Sequence, residues 1–270
     1  MPDPTAYEMR PNVVRQTLMS GGSAFGFMAF EFFTPGLFPV AERAGADFII
    51  LDMEHSGAAP DTMKAQFAFA RGTGVAPLVR VPGHGYHLIA PMLDAGALGI
   101  MVPLVETVEQ AREIVAACRY RPEGRRGLGF SVAHDDYAGG DVAPKIAVAN
   151  QRTLVIALIE SEKGIANADA IMAVPGIDVG WLGHYDLTDS MGFAADFSRP
   201  EFDAAVNKLV GACNKHGKAA GFLAGDVAMA LAWQAKGFRC LCYGTDVSLM
   251  RDSLAHGLTV LRTGGSKHST

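Results

Sequence analysis

The fold of this chain is decided by residues 154–192, LVIALIESEKGIANADAIMAVPGIDVGWLGHYDLTDSMG. Two apolar runs in this stretch end near a carboxylate, Glu160 after the first and Asp186 after the second. The segment 164–173 between them has helical spacing and a Val-Pro-Gly turn follows it, which is typical of a strand–helix–strand unit. Because the parallel strands of such a unit end at the same edge of the sheet, we expect Glu160 and Asp186 to be neighbours in space.

This pair of acids predicts a metal site. Two hard oxygen ligands with no Cys or His beside them suit an octahedral dication such as Mg²⁺ or Mn²⁺, and they leave positions for substrate and water. The alternative is that each acid caps a helix or is solvated. The placement of both at strand ends favours the metal site, since ligands of α/β folds bind there.

Strand-like and helix-like segments alternate eight times from Ser23 onward. The strand candidates are 23–30, 46–54, 76–82, 98–105, 154–160, 178–184, 219–225 and 239–244. Several are apolar on both faces, as a parallel sheet covered by helices requires. The sequence therefore predicts a single (β/α)8 TIM barrel domain over 1–270, preceded by an N-terminal extension over 1–22. An open doubly wound sheet is the second choice, disfavoured because no G-x-G-x-x-G follows the first strand.

Helix boundaries carry their own signals. Thr107-x-x-Gln110 and Ser198-x-x-Glu201 each have the spacing of a capping box, and Asp226 precedes a helix that ends at Gly237. A last helix is expected from about Ser248 to Leu261. The stretch 119–150 is long, Gly-rich and predicted to be irregular, which is typical of functional or oligomer-forming loops.

The composition of the chain indicates which class of partner it binds and where in the cell it is located. The chain has 270 residues, 49% of them hydrophobic, and a formal charge of −5 without long runs of one sign. We expect a small-molecule partner rather than nucleic acid or membrane, and a cytoplasmic location. Four cysteines lie in apolar patterns without metal or redox spacing, so they are predicted to be core thiols: Cys118, Cys213, Cys240 and Cys242.

Polar residues at the other strand ends are candidates for catalysis. The second strand ends in Asp52-Met53-Glu54-His55, where Asp52 could fix the tautomer of His55 and raise its basicity. The third strand contains Arg80, which needs an anionic partner if it is buried. That partner could be a carboxylate such as Asp94, or it could be the substrate.

These motifs carry a family resemblance. The blocks LDMEHS (51–56), PLVRVP (77–82), MLDAG (92–96), ALIES (157–161) and GHYDLTDSMG (183–192) resemble the HpcH/HpaI family of metal-dependent pyruvate aldolases. The resemblance runs in order over nearly the whole chain, from about Ser23 to Thr263. It implies a barrel that is usually hexameric, with the last helix, here 248–263, exchanged between neighbouring subunits.

The resemblance also implies roles for individual residues. Glu160 and Asp186 would hold Mg²⁺, Mn²⁺ or Co²⁺. His55, oriented by Asp52, would move protons, and Arg80 would face the keto oxygen of bound pyruvate. Asp94 lies in one of the matching blocks and is carried as a further catalytic candidate. The family usually has Pro and a small residue at the positions of His184 and Tyr185, and Gln at that of Leu158.

The chemistry of these residues agrees with an aldolase. A 2-oxo acid can chelate a dication through its carboxylate and keto oxygens, and the amides after Gly183 could receive the carboxylate. His184 and Tyr185 would either line the pocket or point into the helix layer. A lysine imine is the weaker mechanism because Lys145 and Lys163, the central candidates, lie outside the strands.

The sequence thus predicts reversible cleavage of a 4-hydroxy-2-oxo acid to pyruvate, or a close 2-oxo acid, and an aldehyde. The alternatives are a decarboxylase, hydratase or ring-forming synthase that uses the same enolate, and a barrel that binds 2-oxo acids without turnover. The phenylalanine-rich segment 25–38 is more typical of core or subunit interface, although part of it could contact an apolar electrophile.

Overall fold

Eight parallel strands close into a barrel in the computed structural model, which describes residues 9–264. The strands are β1 (Ala24–Ala29), β2 (Phe48–Asp52), β3 (Ala76–Arg80), β4 (Gly99–Val102), β5 (Leu154–Ile159), β6 (Val179–Leu182), β7 (Ala219–Ala224) and β8 (Phe238–Thr245). Each strand pairs with the next along the chain, and β8 pairs with β1. The predicted TIM barrel is confirmed, and the open sheet is wrong.

Helices surround this barrel. They are α1 (Val13–Met19), α2 (Leu37–Arg43), α3 (Pro60–Phe69), α4 (Tyr86–Ala95), α5 (Val108–Cys118), α6 (Val142–Arg152), α7 (Glu162–Ala166), α8 (Ala168–Met172), α9 (His184–Ser190), α10 (Pro200–Lys215), α11 (Val227–Ala235) and α12 (Asp246–Arg262). The capping box of Thr107 and Gln110 at α5 is confirmed, and Asp226 caps α11 by accepting from the Met229 amide.

The core has two layers because alternate residues of a strand point to opposite faces. In β2, Phe48 and Ile50 pack inside the barrel, whereas Ile49 and Leu51 pack against the helices. This division explains why the strand segments are apolar on both faces. All four cysteines are buried, as predicted, and burial raises the pKa of Cys118 and Cys213 to about 12.

The described part of the N-terminal extension lies at the end of the barrel where the strands begin. The Asn12 amide donates to the Leu98 and Arg152 carbonyls, both at 2.9 Å. Arg15 forms an ion pair of 2.9 Å with Asp178, directly before β6. The extension over 9–22 therefore anchors the face opposite the strand ends, while residues 1–8 lie outside the described range.

Three local predictions were wrong. Ser198 does not cap α10: its hydroxyl donates to Asp196, and Arg199 holds the N-cap position. The segment 164–173 is not one helix, because it divides into α7 and α8 at Asn167. The stretch 119–150 is only partly irregular, since it includes a short 3-10 turn at Ala133–Asp135 and most of α6.

The last two helices differ from the others in their burial. α11 has no buried residue and α12 has only Asp246, at its start. Apolar side chains are exposed on both helices: Val227, Leu231, Val247, Met250, Leu254, Leu258, Val260 and Leu261. In the described range, 9–264, none of the helices has the length and apolar character needed to span a membrane.

Candidate active site

A cavity of about 330 Å³ opens at the end of the barrel where the strands finish. Its lining residues come from strand ends and from the start of α9. They are Met28, Phe30, His55, Arg80, Met101, Leu158, Glu160, Trp181, Leu182, Gly183, His184, Tyr185, Asp186 and Leu223. Seven of the nine predicted site residues are brought together here; the exceptions are Asp52, which lies beneath the cavity, and Asp94.

Arg80 forms ion pairs with two carboxylates, Asp52 at the end of β2 and Glu54 just after it. Its Nε donates to Oδ1 of Asp52 at 2.5 Å, and its Nη1 lies 3.2 Å from Oε2 of Glu54. Asp52 and Arg80 are partners in the register of β2 and β3, which sets the two side chains side by side. Asp52 is fully buried and Arg80 is 8% exposed, so the pair is a desolvated ion pair that fixes the guanidinium at the cavity.

Asp94 was the wrong partner for Arg80. It lies near the end of α4, where Oδ1 accepts from both Nε and Nη2 of Arg126, at 3.1 and 2.5 Å. It also borders a different cavity, outside the barrel. The reason is that α4 packs beside the segment after α5, which supplies its own arginine, whereas Arg80 already has Asp52 in the adjacent strand. Nothing in this arrangement connects Asp94 of the same chain with the cavity.

His55 is oriented differently from the prediction. Asp52 Oδ2 accepts from the His55 backbone amide at 2.7 Å, so this acid shapes the turn rather than the imidazole. The acid beside the ring is Glu54, with Oε2 3.7 Å from Nε2 of His55. The His55 side chain is 60% exposed, which leaves it accessible to substrate or water.

Glu54 is the residue that the sequence analysis missed. Burial raises the pKa of this carboxyl, and the Arg80 charge opposes that rise. Glu54 thus lies between the guanidinium and the imidazole, close to both. The signal available in the sequence was its position between Asp52 and His55, two residues that were assigned roles.

Glu160 follows β5 directly, and its carboxylate is fixed by a backbone amide. It is 5% exposed, and its Oε1 accepts from the Leu104 amide at 2.7 Å. Leu104 has a φ of 50°, a left-handed conformation that a leucine rarely adopts. The backbone therefore adopts an unfavourable conformation that directs this amide at Glu160. Burial raises the pKa of Glu160 to about 7, and the charges of Glu54 and Asp186 add to the rise.

Gly183 lies next to the side chain of Glu160 and precedes Asp186 in the chain. It is the N-cap of α9, and Asp186 lies in the first turn of that helix. A Cβ at position 183 would lie 2.4 Å from Oε2 of Glu160 and 2.5 Å from its Cβ. The absence of a side chain here therefore makes room for the carboxylate of Glu160.

His184 and Tyr185 line the cavity, which was one of the two expected placements. Their ring centroids are 4.4 Å apart, and the His184 ring also lies 4.8 Å from Phe222 and 5.2 Å from Phe197. Burial lowers the pKa of His184 to about 4, so the imidazole is neutral near pH 7. Tyr185 is 61% exposed, at the outer edge.

Comparison with known proteins identifies the family. Residues 30–253 match the HpcH/HpaI aldolase/citrate lyase family. The chain belongs to this family. A hydroxypyruvate/pyruvate aldolase of Roseobacter denitrificans is 34% identical, with 88% of this chain and 93% of that protein covered. A 5-keto-4-deoxy-D-glucarate aldolase of Klebsiella pneumoniae is 36% identical over 78% and 81% of the two chains.

The solved structures agree with this membership. An HpcH/HpaI aldolase from Desulfitobacterium hafniense superposes with a TM-score of 0.88 at 28% identity, covering 94% of this chain and 97% of that one. Aldolase relatives and the family together make this chain a carbon–carbon lyase that acts on 2-oxo acids. The predicted enzyme class is confirmed.

The donor set of the cavity fits a divalent cation. Glu160 and Asp186 supply carboxylate oxygens, and their mutual repulsion in a site with a buried member is relieved by a positive charge between them. Among residues 9–264, no cluster of three or more His, Cys, Asp or Glu side chains is arranged to hold a metal. A cation bound here would thus have coordination positions left for a chelating substrate and water.

The lysines considered for an imine lie elsewhere. Lys145 is buried in α6 and paired with Asp135 at 2.7 Å, and Lys163 is an exposed residue of α7 paired with Glu106 at 3.1 Å. Neither lines the cavity. This placement gives no support to a Schiff-base mechanism.

Proposed function

We propose that this aldolase reversibly cleaves a 4-hydroxy-2-oxo acid to pyruvate, or a close 2-oxo acid, and an aldehyde. The observation that carries the proposal is the convergence of Glu160, Asp186 and Arg80 on one cavity beside His55. Two carboxylates suit a dication such as Mg²⁺, Mn²⁺ or Co²⁺, and a guanidinium adjacent to them suits an anionic 2-oxo acid.

Each residue has a defined task in the aldol reaction. Glu160 and Asp186 would hold the cation, which when bound polarises the keto oxygen and lowers the cost of forming an enolate. Arg80, fixed by Asp52 and Glu54, places positive charge beside that oxygen as negative charge develops. His55 removes the proton of the C4 hydroxyl as the C3–C4 bond breaks, and returns it to the aldehyde oxygen when the bond forms.

The acid beside His55 supports this proton transfer. Glu54 carries a negative charge near the ring when it is ionised, which stabilises the imidazolium that forms after proton removal. The pair therefore resembles a base and its supporting acid, although the contact of 3.7 Å is longer than a hydrogen bond.

The proposal is tested by following the methyl protons of pyruvate in deuterated water by NMR, without any aldehyde. The protein with Mn²⁺ or Mg²⁺ should exchange these protons, EDTA should stop the exchange, and added metal should restore it. Full exchange in the stripped protein contradicts the metal site. No exchange by metal-loaded protein that turns over another substrate rules out pyruvate as the nucleophile.

An assembly with exchanged last helices is part of the same proposal. α12 has 17 residues, of which only Asp246 is buried, and it displays Met250, Leu254 and Leu258 to solvent in the single chain. The exposed apolar residues of α11 provide a matching surface for the α12 of a neighbouring subunit. Light scattering should give the mass of a hexamer, and Leu254→Glu with Leu258→Glu should lower it. The cytoplasmic location stays a prediction.

A further inference from the structure

The cavity has two unlike sides. Its charged side consists of His55, Arg80, Glu160 and Asp186. We call four other lining residues the apolar wall: Phe30 after β1, His184 and Tyr185 at the start of α9, and Leu223 in β7. Phe30 borders the charged side, since its ring centroid lies 5.5 Å from Cζ of Arg80. The cation and the 2-oxo acid of the proposed function occupy the charged side. The aldehyde, which has to approach the reacting carbon from the remaining space, meets the apolar wall.

The apolar wall is built before substrate arrives. The Phe30 backbone amide donates to Asp246 Oδ1 at 3.0 Å, and Asp246 is 7% exposed, so the loop after β1 is fixed to the start of α12. On the other side, Phe222 and Phe197 pack against the His184 ring. A preformed aromatic wall binds an apolar group with little ordering cost.

The described residues that line the cavity offer no spare positive charge for an anionic aldehyde. Among the described residues that line it, the permanent cation is Arg80, which already lies within 3.2 Å of two carboxylates, Asp52 and Glu54. The His184 ring packs against the rings of Phe197 and Phe222, and Nε2 of His55 lies 3.7 Å from Oε2 of Glu54. A second carboxylate placed at the apolar wall would lose hydration without gaining a partner.

We propose that the aldehyde accepted by this enzyme is uncharged and carries an apolar body, an alkyl chain or an aromatic ring, that packs against the apolar wall. This inference rests on the proposed function and names its second substrate by class. The bond that forms joins the methyl carbon of pyruvate, after loss of one proton, to the aldehyde carbon. The aldehyde oxygen gains the proton, so atoms and charge balance without another reactant.

Matched aldehydes test the class directly. Butanal and 4-oxobutanoate have the same four carbons and differ by a methyl group against a carboxylate. 4-Methylbenzaldehyde and 4-formylbenzoate form an aromatic pair with the same difference. With pyruvate and Mn²⁺, kcat/KM should be at least about tenfold higher for the uncharged member of each pair, since an unpaired buried carboxylate is strongly rejected. Equal values, or a preference for the carboxylates, overturn the proposal.

A substitution in the wall tests where the aldehyde binds. Tyr185→Arg adds a cation at an exposed position, and Tyr185→Gln is the matched control with a neutral polar side chain. The arginine variant should raise the ratio of 4-oxobutanoate to butanal by about tenfold over the control. An unchanged ratio means that the wall does not contact the aldehyde.

Methyl-proton exchange, measured on every preparation, distinguishes a failure of the proposed reaction from a failure of the proposed aldehyde class. Exchange together with a preference for carboxylates leaves the proposed function intact and refutes the apolar acceptor. Loss of exchange in the wild type removes both. Melting temperatures identify any variant whose altered ratio comes from misfolding.

Discussion

The charged side and the apolar wall of the cavity are stabilised in different ways. On the charged side Arg80 and Glu160 already have protein partners: Arg80 has Asp52 and Glu54, and Glu160 accepts from the Leu104 amide. The wall is held by ring packing and by a backbone anchor at Phe30. A linked polar network resists substitution because removing one member leaves another buried without a partner, whereas packed rings tolerate exchange for groups of similar volume. We therefore expect the charged side to determine the reaction type and the apolar wall to determine the choice of aldehyde.

The largest effect is expected from the carboxylates. Glu160→Gln and Asp186→Asn should each lower kcat/KM by about 10³-fold or more, because the cation that we propose they hold would supply several kcal/mol of transition-state stabilisation. Asp189→Asn, an exposed acid on the same helix, is the control. Titration of Mn²⁺ followed by its EPR signal should show weakened binding in the two variants alone. Wild-type metal affinity in either would mean that the charged side is misassigned.

Arg80 should have the next largest effect. Arg80→Ala removes one positive donor beside the developing charge, so kcat should fall by about 10²-fold. It also leaves Asp52 buried without its ion-pair partner, which should cost about 3–5 kcal/mol of stability. Denaturant unfolding and kcat are measured on the same preparation. A destabilised protein with full kcat would show that the guanidinium serves the fold and not the reaction.

The pH dependence of metal binding sharpens the comparison. Burial raises the pKa of Glu160 to about 7, so the metal-free carboxyl carries a proton at lower pH and loses it at higher pH. A dication must displace that proton. Its apparent affinity should therefore fall by up to about tenfold for each unit below pH 7 and become constant at higher pH. Calorimetric titration of Mn²⁺ from pH 5.5 to 8.5 tests this, and a flat profile would contradict it.

The smallest effect on the reaction itself is expected from the wall. His184→Pro combined with Tyr185→Ala should change the ranking of aldehydes by about tenfold while the KM for pyruvate changes less. Proline is compatible with the first position of a helix, so α9 should persist. Steady-state kinetics with a series of aldehydes checks the result. A larger change for pyruvate than for the aldehydes would remove the distinction between the two sides.

The fold could be predicted from the sequence because the same strand and helix pattern repeats along the chain. Eight apolar segments separated by helical spacing allow few architectures, and one misjudged boundary, such as that at Ser198, does not change the topology. The placement of Glu160 and Asp186 in one cavity was predictable for a related reason. Glu160 and Asp186 each follow a strand, and the ends of parallel strands meet whatever the exact register is.

The contacts that were predicted wrongly depend on register and on side-chain direction. Arg80 pairs with Asp52 because these residues are opposite one another in adjacent strands, an alignment that neither strand shows alone. Whether Asp52 reaches the ring of His55 or its amide depends on the path of the turn. The start of α6 within 119–150 was missed because the glycines that precede it dominated the interpretation.

Gly183 restricts how such an enzyme can acquire new substrates. Any other residue there places a carbon within 2.5 Å of Glu160 atoms, so a library that varies this position will consist mostly of inactive members. His184 and Tyr185 are the first two residues of α9 after this glycine, and both line the cavity. Changes of selectivity in this barrel, whether natural or directed, are therefore expected at His184 and Tyr185 and not at Gly183.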